Sequence, residues 1–201
     1  AAIDNRHSTI DNQTMNGRID VHSHLLPGVD DGCASLDESM QCARKLVAAG
    51  YTHSFCTPHV WPGFANITRD NVVKWVADLQ QAFDAAGIPL QLIPGGEHNF
   101  HAKFLQSPPE QIIPAALAGK YILADMWANT IPDFFEPSVK WLQSMGLTVI
   151  LAHPERMKAV QDDPGLADYF AELGVLLQGN LQCFSDAPRA DAAAPAGDAK
   201  P

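Results

Sequence analysis

Five successive short apolar runs in this chain each lead into a histidine, a glutamate or an aspartate. The runs are at about 18–21, 52–56, 90–93, 121–124 and 148–152, and the polar residues are His22 and His24, His59, Glu97, Asp125 and His153. Between the runs lie stretches with helical spacing. Ser35 and Glu38 form a capping box before a helix that carries Met40, Ala43 and Val47 and stops at Gly50. Thr68 caps a helix reaching Ala86, with Val72, Trp75, Val76, Leu79 and Phe83 as its buried stripe, and Gly87 ends it. Pro137 suits the first position of a helix to Met145. A last helix is expected over 164–173, with a sixth strand over 175–178. Strand alternating with helix argues for parallel βαβ units. In a parallel barrel all strand C-terminal ends open on one face, where active sites form. Six chemically capable side chains from five strands would then meet in one pocket.

The first of these sites is the most explicit. Ile19-Asp20-Val21-His22-Ser23-His24 places two imidazoles at i and i+2, on one face of a strand. Neutral imidazole is a common ligand of zinc and its first-row neighbours. An isolated H-x-H is more often a pair of surface histidines, but that reading explains poorly why four further strand ends carry ligand-type residues. Trp61 and Phe64 lie on the loop after His59 and suit stacking against an aromatic ring. His98 and His101 read as loop histidines.

Composition narrows the function classes. The 201 residues suit one domain, and a net charge of −10 disfavours nucleic acid or an anionic membrane as partner. No apolar run approaches the roughly 18 residues of a membrane span. Cys33, Cys42, Cys56 and Cys183 show no C-x-x-C pairing and read as reduced thiols of a cytoplasmic protein. The two N-x-T matches at 12 and 66 are then chance. Residues 1–16 are expected to be a disordered leader, with Met15 as a natural start. Residues 17–186 form the domain, and 187–201 a low-complexity tail of Ala, Pro, Asp and Gly.

Four motifs, in order, carry a family resemblance: His22-x-His24, Thr57-Pro58-His59, Gly96-Glu97 and Ala152-His153-Pro154-Glu155-Arg156. They resemble the PHP (polymerase and histidinol phosphatase) superfamily. More narrowly, DVHSHLLPGVDDG at 20–32 with CTPH at 56–59 is similar to the bacterial CpsB/CapC-type manganese-dependent tyrosine-protein phosphatases. The resemblance implies a distorted, TIM-like parallel (β/α)7 barrel. It also implies a centre of two to three divalent ions, usually manganese, that hydrolyses phosphotyrosine on a kinase controlling capsule or exopolysaccharide assembly. Iron or zinc would also suit the carboxylate and imidazole ligands. By the same resemblance His22 and His24 bind the first metal, Glu97 bridges two, and His153 completes the second. His59 and Asp31 are ligands or their close neighbours. Asp125 stands where the family commonly has glutamate, one methylene longer. Arg156 is placed to hold a phosphate oxygen, and His59 could protonate the leaving phenolate. The implied mechanism is direct displacement of tyrosine by metal-activated hydroxide, with no phosphoenzyme.

The family's last motif, Ser-Asp-Ala-His on a seventh strand, has no counterpart after residue 180. Ser185-Asp186-Ala187 imitates it, but Pro188 stands in place of the histidine. The expectation is therefore a barrel lacking its last strand and helix, and a non-catalytic remnant is one alternative. Another is a small-molecule phosphatase of the same superfamily. Cys183 to Arg189 also matches the C-x5-R loop of cysteine phosphatases. Pro188 removes an N–H that such a loop needs, no glycine eases the turn and Asp186 would repel phosphate, so this match reads as chance. A homo-oligomer is compatible with the sequence.

Overall fold

A computed structural model describes residues 17–116 and 119–184. The proposed leader and tail, and the Ser185–Pro188 and Arg189 matches, lie outside the described residues. The chain runs β1 (Arg18–Ser23), α1 (Leu36–Ala48), β2 (Tyr51–Cys56), β3 (His59–Val60), α2 (Arg69–Ala85), β4 (Gln91–Pro94), β5 (Glu97–Asn99) and β6 (Tyr121–Asp125). It continues with α3 (Phe135–Ser144), β7 (Thr148–Ala152), α4 (Lys158–Asp162), α5 (Leu166–Glu172) and β8 (Leu176–Gln178).

Every strand pair is parallel. The hydrogen-bonded ladders form two sheets, β1-β2-β4 and β3-β5-β6-β7-β8, and among the described residues they do not close into a barrel. The single barrel sheet expected from the sequence is corrected in this respect. The second and third expected strands form as β2 and β4, and each is continued after a two-residue break by a further short strand, β3 and β5. Thr57-Pro58 separates β2 from β3, and Gly95-Gly96 separates β4 from β5. Proline brings no N–H to a ladder and glycine pairs weakly within one, so both interruptions have a local cause. The breaks are bridged by single backbone bonds: Thr57 N–H to Ser23 O (2.9 Å), Gly95 N–H to Cys56 O (3.0 Å) and Glu97 N–H to Pro58 O (3.0 Å). The upstream halves therefore stay in one sheet while the downstream halves deliver His59 and Glu97 to the other.

The helices follow their sequence signals. Ser35 Oγ accepts from the Glu38 N–H at 3.3 Å. Glu38 Oε2 reaches back to the N–H of Ala34, at 2.7 Å, one residue earlier than the standard capping box. Thr68 Oγ1 likewise accepts from the Asn71 N–H. On α2, Val72, Val76, Leu79 and Phe83 are buried, with Trp75 packed beside them. They join Leu25, Leu26, Ala43 and Leu90 in a core beneath the three-stranded sheet. A second core gathers Phe100, Phe104, Ile122, Phe135, Leu142 and Phe170 around β6, β7, α3 and α5. Each fully buried Leu or Phe contributes about 1.5–3 kcal/mol, which anchors the strands whose ends build the site. α3 begins at Phe135, two residues before Pro137. Pro137 still falls in the first turn, where no N–H is needed. His98, expected in a loop, lies in β5 instead, fully buried, and accepts from the Ile113 N–H at 3.1 Å. No helix among the described residues is long and apolar enough to cross a membrane.

Candidate metal centre

The strand ends do converge. Glu97 opens β5 with no solvent exposure, and four imidazoles surround its carboxylate. His22 Nε2 and His153 Nε2 lie 3.3 and 2.9 Å from Oε1, and His24 Nε2 and His59 Nδ1 lie 3.4 and 2.7 Å from Oε2. His22 and His24 aim at one point as their spacing predicts, their Nε2 atoms 3.2 Å apart. His22 still belongs to β1, His59 opens β3, and Asp125 closes β6. His153 follows β7 with left-handed backbone (φ 36°, ψ 51°), a conformation that turns the chain sharply out of the strand.

Two groups of potential ligand atoms result, each with all its atoms within 4.8 Å of one another: His22, Glu97 and His153, and His24, Asp30, Asp31 and His59. Asp31 Oδ1 lies 3.0 Å from His59 Nε2, and its side chain is 77 % exposed at the rim. Asp30, which the sequence reading passed over in favour of its neighbour, is the buried member of the pair. Its Oδ2 sits 2.7 Å from His24 Nδ1 and also accepts from the His59 N–H at 3.1 Å. Its Oδ1 accepts from the Gly32 N–H. The adjacent aspartates were the signal, but nothing in the sequence says which of them turns inward. Asp125 belongs to neither group. It is fully buried beside them, with Asn99 Nδ2 donating to its Oδ1 at 3.0 Å.

The electrostatics ask for a cation. Burial by itself would raise the Glu97 carboxyl, but its contacts with His153, His22, His24 and His59 outweigh burial and hold it well below the usual carboxylate range. Burial would lower His24, but Asp30 and Glu97 push it up to about 10. Burial, reinforced by the negative Glu97, raises Asp125 to about 6. The buried atoms that lack a hydrogen-bond partner among the described residues include His59 Nδ1, Glu97 Oε2 and Asp125 Oδ2. The first two are only 2.7 Å apart but are not aligned to bond each other. Buried polar atoms left without partners are costly. Divalent cations bound by imidazole and carboxylate would satisfy His59 Nδ1 and Glu97 Oε2, so the residues present fit a metal centre.

Arg156 lies at the edge of this arrangement. Its guanidinium stacks over the Trp127 ring at 4.9 Å, and that ring is 6.0 Å from His153. Trp61 packs against His59 with ring centroids 4.1 Å apart and planes tilted by 41°, and Phe64 meets Trp61 edge-on. Beside them opens a cleft of about 810 Å³ whose lining includes Trp61, Phe64, His98, His101 and Lys103.

The chain is similar to known proteins in sequence and in overall fold. The chain is 29% identical over 160 residues to the tyrosine-protein phosphatase YwqE of Bacillus subtilis, and 27% identical over 161 residues to the putative tyrosine-protein phosphatase CapC of Staphylococcus aureus. Each alignment covers 80% of this chain but 63% of the relative, so the chain spans less than two thirds of the length of those proteins. Its fold superposes with a TM-score of 0.75 and 29% identity on a crystal structure from work on YwqE of Bacillus subtilis and CpsB of Streptococcus pneumoniae, described as unique metal-dependent tyrosine phosphatases. That match covers 81% of this chain and 66% of the other. The profile of the capsular polysaccharide synthesis family CpsB/CapC matches residues 18–186, and the chain belongs to that family.

Proposed function

We propose that this protein is a metal-dependent phosphoesterase that hydrolyses phosphotyrosine on a protein, with manganese as its cofactor in a cluster of two to three ions. The observation that carries this reading is the buried Glu97 carboxylate ringed by four imidazole nitrogens within 3.4 Å. His22, His24, Glu97, His153 and His59 would hold the ions, with Asp31 and Asp125 as further carboxylates. Bound ions of this kind make water more acidic and draw charge from phosphate oxygens. The two open sheets are read as a split relative of the PHP barrel.

The remaining residues supply binding and orientation. Arg156, steadied by Trp127, presents a fork of N–H donors suited to phosphate oxygens. Trp61 and Phe64 form an aromatic wall against which a tyrosine ring would stack. His59 lies between buried Glu97 and exposed Asp31, which suits it to holding an ion or passing a proton toward the departing phenolate. That oxygen, with a pKa of about 10, needs little help. The reading extends to a cytoplasmic setting and to a bacterial tyrosine kinase of capsule or exopolysaccharide assembly as the substrate protein.

The test is a comparison of substrates on manganese-loaded protein. A phosphotyrosyl peptide should be hydrolysed well ahead of an alkyl phosphate such as histidinol phosphate, and Cys183→Ser should leave the rate unchanged. Preference for the alkyl phosphate would move the assignment to a small-molecule phosphatase. Loss of activity in Cys183→Ser would bring the C-x5-R match back into play.

A further inference from the structure

Gln178 closes β8 and offers no ligand of its own, yet it holds two residues that do. Its backbone carbonyl accepts from the His153 N–H at 2.6 Å, continuing the register in which Ala152 faces Gln178. That bond restrains a histidine in left-handed backbone, a conformation that L side chains other than glycine rarely adopt. Its side-chain oxygen lies 2.8 Å from His22 Nδ1, across a sequence separation of 156 residues. The other end of the amide is anchored: Nε2 donates to Asn180 Oδ1 at 3.0 Å, and the Asn180 N–H donates to Glu155 Oε1 at 2.9 Å.

This chain of bonds has a chemical consequence. With Nε2 committed to Asn180, the amide presents oxygen to His22, and an amide oxygen only accepts. In that orientation of the amide, the proton of a neutral His22 sits on Nδ1, leaving the lone pair on Nε2. Nε2 is the atom that faces Glu97 and His24. His24 is held in the same sense, its Nδ1 on Asp30. A metal-bound histidine generally donates its second ring N–H to an outer partner that fixes its tautomer and orientation.

We propose that Gln178 is a positioning residue of the metal centre: its amide oxygen fixes the tautomer of His22 that leaves Nε2 for a divalent ion, and its carbonyl fixes His153. The proposal rests on the metal-centre reading above. It gives β8 a role in the site without a ligand.

The experiment uses the full chain, stripped with chelator and titrated with Co2+, whose visible absorption reports binding without turnover. Gln178→Leu removes the acceptor and Gln178→Glu restores one, with circular dichroism confirming the fold of both. Affinity should fall about 10- to 100-fold in Gln178→Leu and recover in Gln178→Glu. Unchanged affinity in Gln178→Leu overturns the proposal, and equal loss in both variants assigns the effect to packing and overturns it too. Should Gln178→Leu fail to fold, 15N NMR of the zinc-loaded wild type decides, with the His22 signal assigned from its loss in His22→Gln. A proton on His22 Nδ1 with Nε2 coordinated supports the role; coordination through Nδ1 rejects it. Wild-type protein that takes up no divalent ion would instead overturn the metal-centre reading itself.

Discussion

Replacing Asp125 by Asn separates what this buried carboxylate costs the metal-free protein from what it gives the metal-bound one. The side chain has no solvent exposure, and its Oδ2 has no partner. Burial first, and the charge of Glu97 second, raise its carboxyl to about 6 from an ordinary 3.8. At about 1.4 kcal/mol per pKa unit, ionised Asp125 destabilises the metal-free fold by about 3 kcal/mol. The sign follows from where protons are held. Below pH 3.8 the group is neutral in both states and costs nothing through ionisation. Between about pH 4 and 6 the unfolded chain has released the proton that the folded chain still holds, so stability falls as pH rises. Above 6 the full cost is present. Asn keeps an acceptor for Asn99 and places an uncharged NH2 where Oδ2 stands. Urea unfolding in chelator at pH 7.5 should therefore show Asp125→Asn more stable than wild type by about 1–3 kcal/mol, with the gap closing toward pH 4. Adding Mn2+ at about 100 times its Kd should stabilise wild type by about 2.7 kcal/mol and the variant by less. A variant no more stable than wild type at pH 7.5 in chelator, or a gap that does not narrow with acid, would refute the reasoning.

Other outcomes test the site piece by piece. A Cβ on Gly32 would stand 2.3 Å from both the Cβ and the carbonyl oxygen of His24. Gly32→Ala should therefore displace His24 and cost about 10²-fold in turnover, with weaker Co2+ uptake in a titration and a retained circular dichroism spectrum. Arg156→Ala should lower kcat/KM for an aryl phosphate by about 10²–10³ while metal content, measured by elemental analysis, is unchanged. Lysine there should rescue only in part, because the fork is lost. Ser35→Ala removes the cap on α1 and should cost about 1 kcal/mol in urea unfolding without changing the rate per folded molecule.

Much of this site is written in the order of residues. The apolar runs around β1, β2, β4, β6 and β7 are distinct, and placing a ligand-type residue after each foretold that His22, His24, His59, Glu97 and His153 would meet, with Asp125 buried beside them. The helix caps at Ser35 and Thr68 were equally plain, because a side-chain oxygen before an amphipathic stretch has one strong use. What was hidden depends on geometry that periodicity does not encode. β3 and β5 are two and three residues long, too short to show an alternation, so the split into two sheets left only Pro58 and Gly95-Gly96 as hints. Asp30 and Asp31 are chemically identical neighbours on a turn, where no period says which one faces inward. Gln178 is uncharged and 156 residues from His22, so its contact arises from the arrangement of β1 against β8 and not from any motif.

The measurement that bears most directly on the central claim is hydrolysis of an aryl phosphate by chelator-stripped protein, with and without added Mn2+, beside His153→Ala. The account expects no turnover in chelator, turnover restored by Mn2+, and loss of that turnover in the variant. Turnover that ignores Mn2+, or that survives His153→Ala at the wild-type rate, would contradict it.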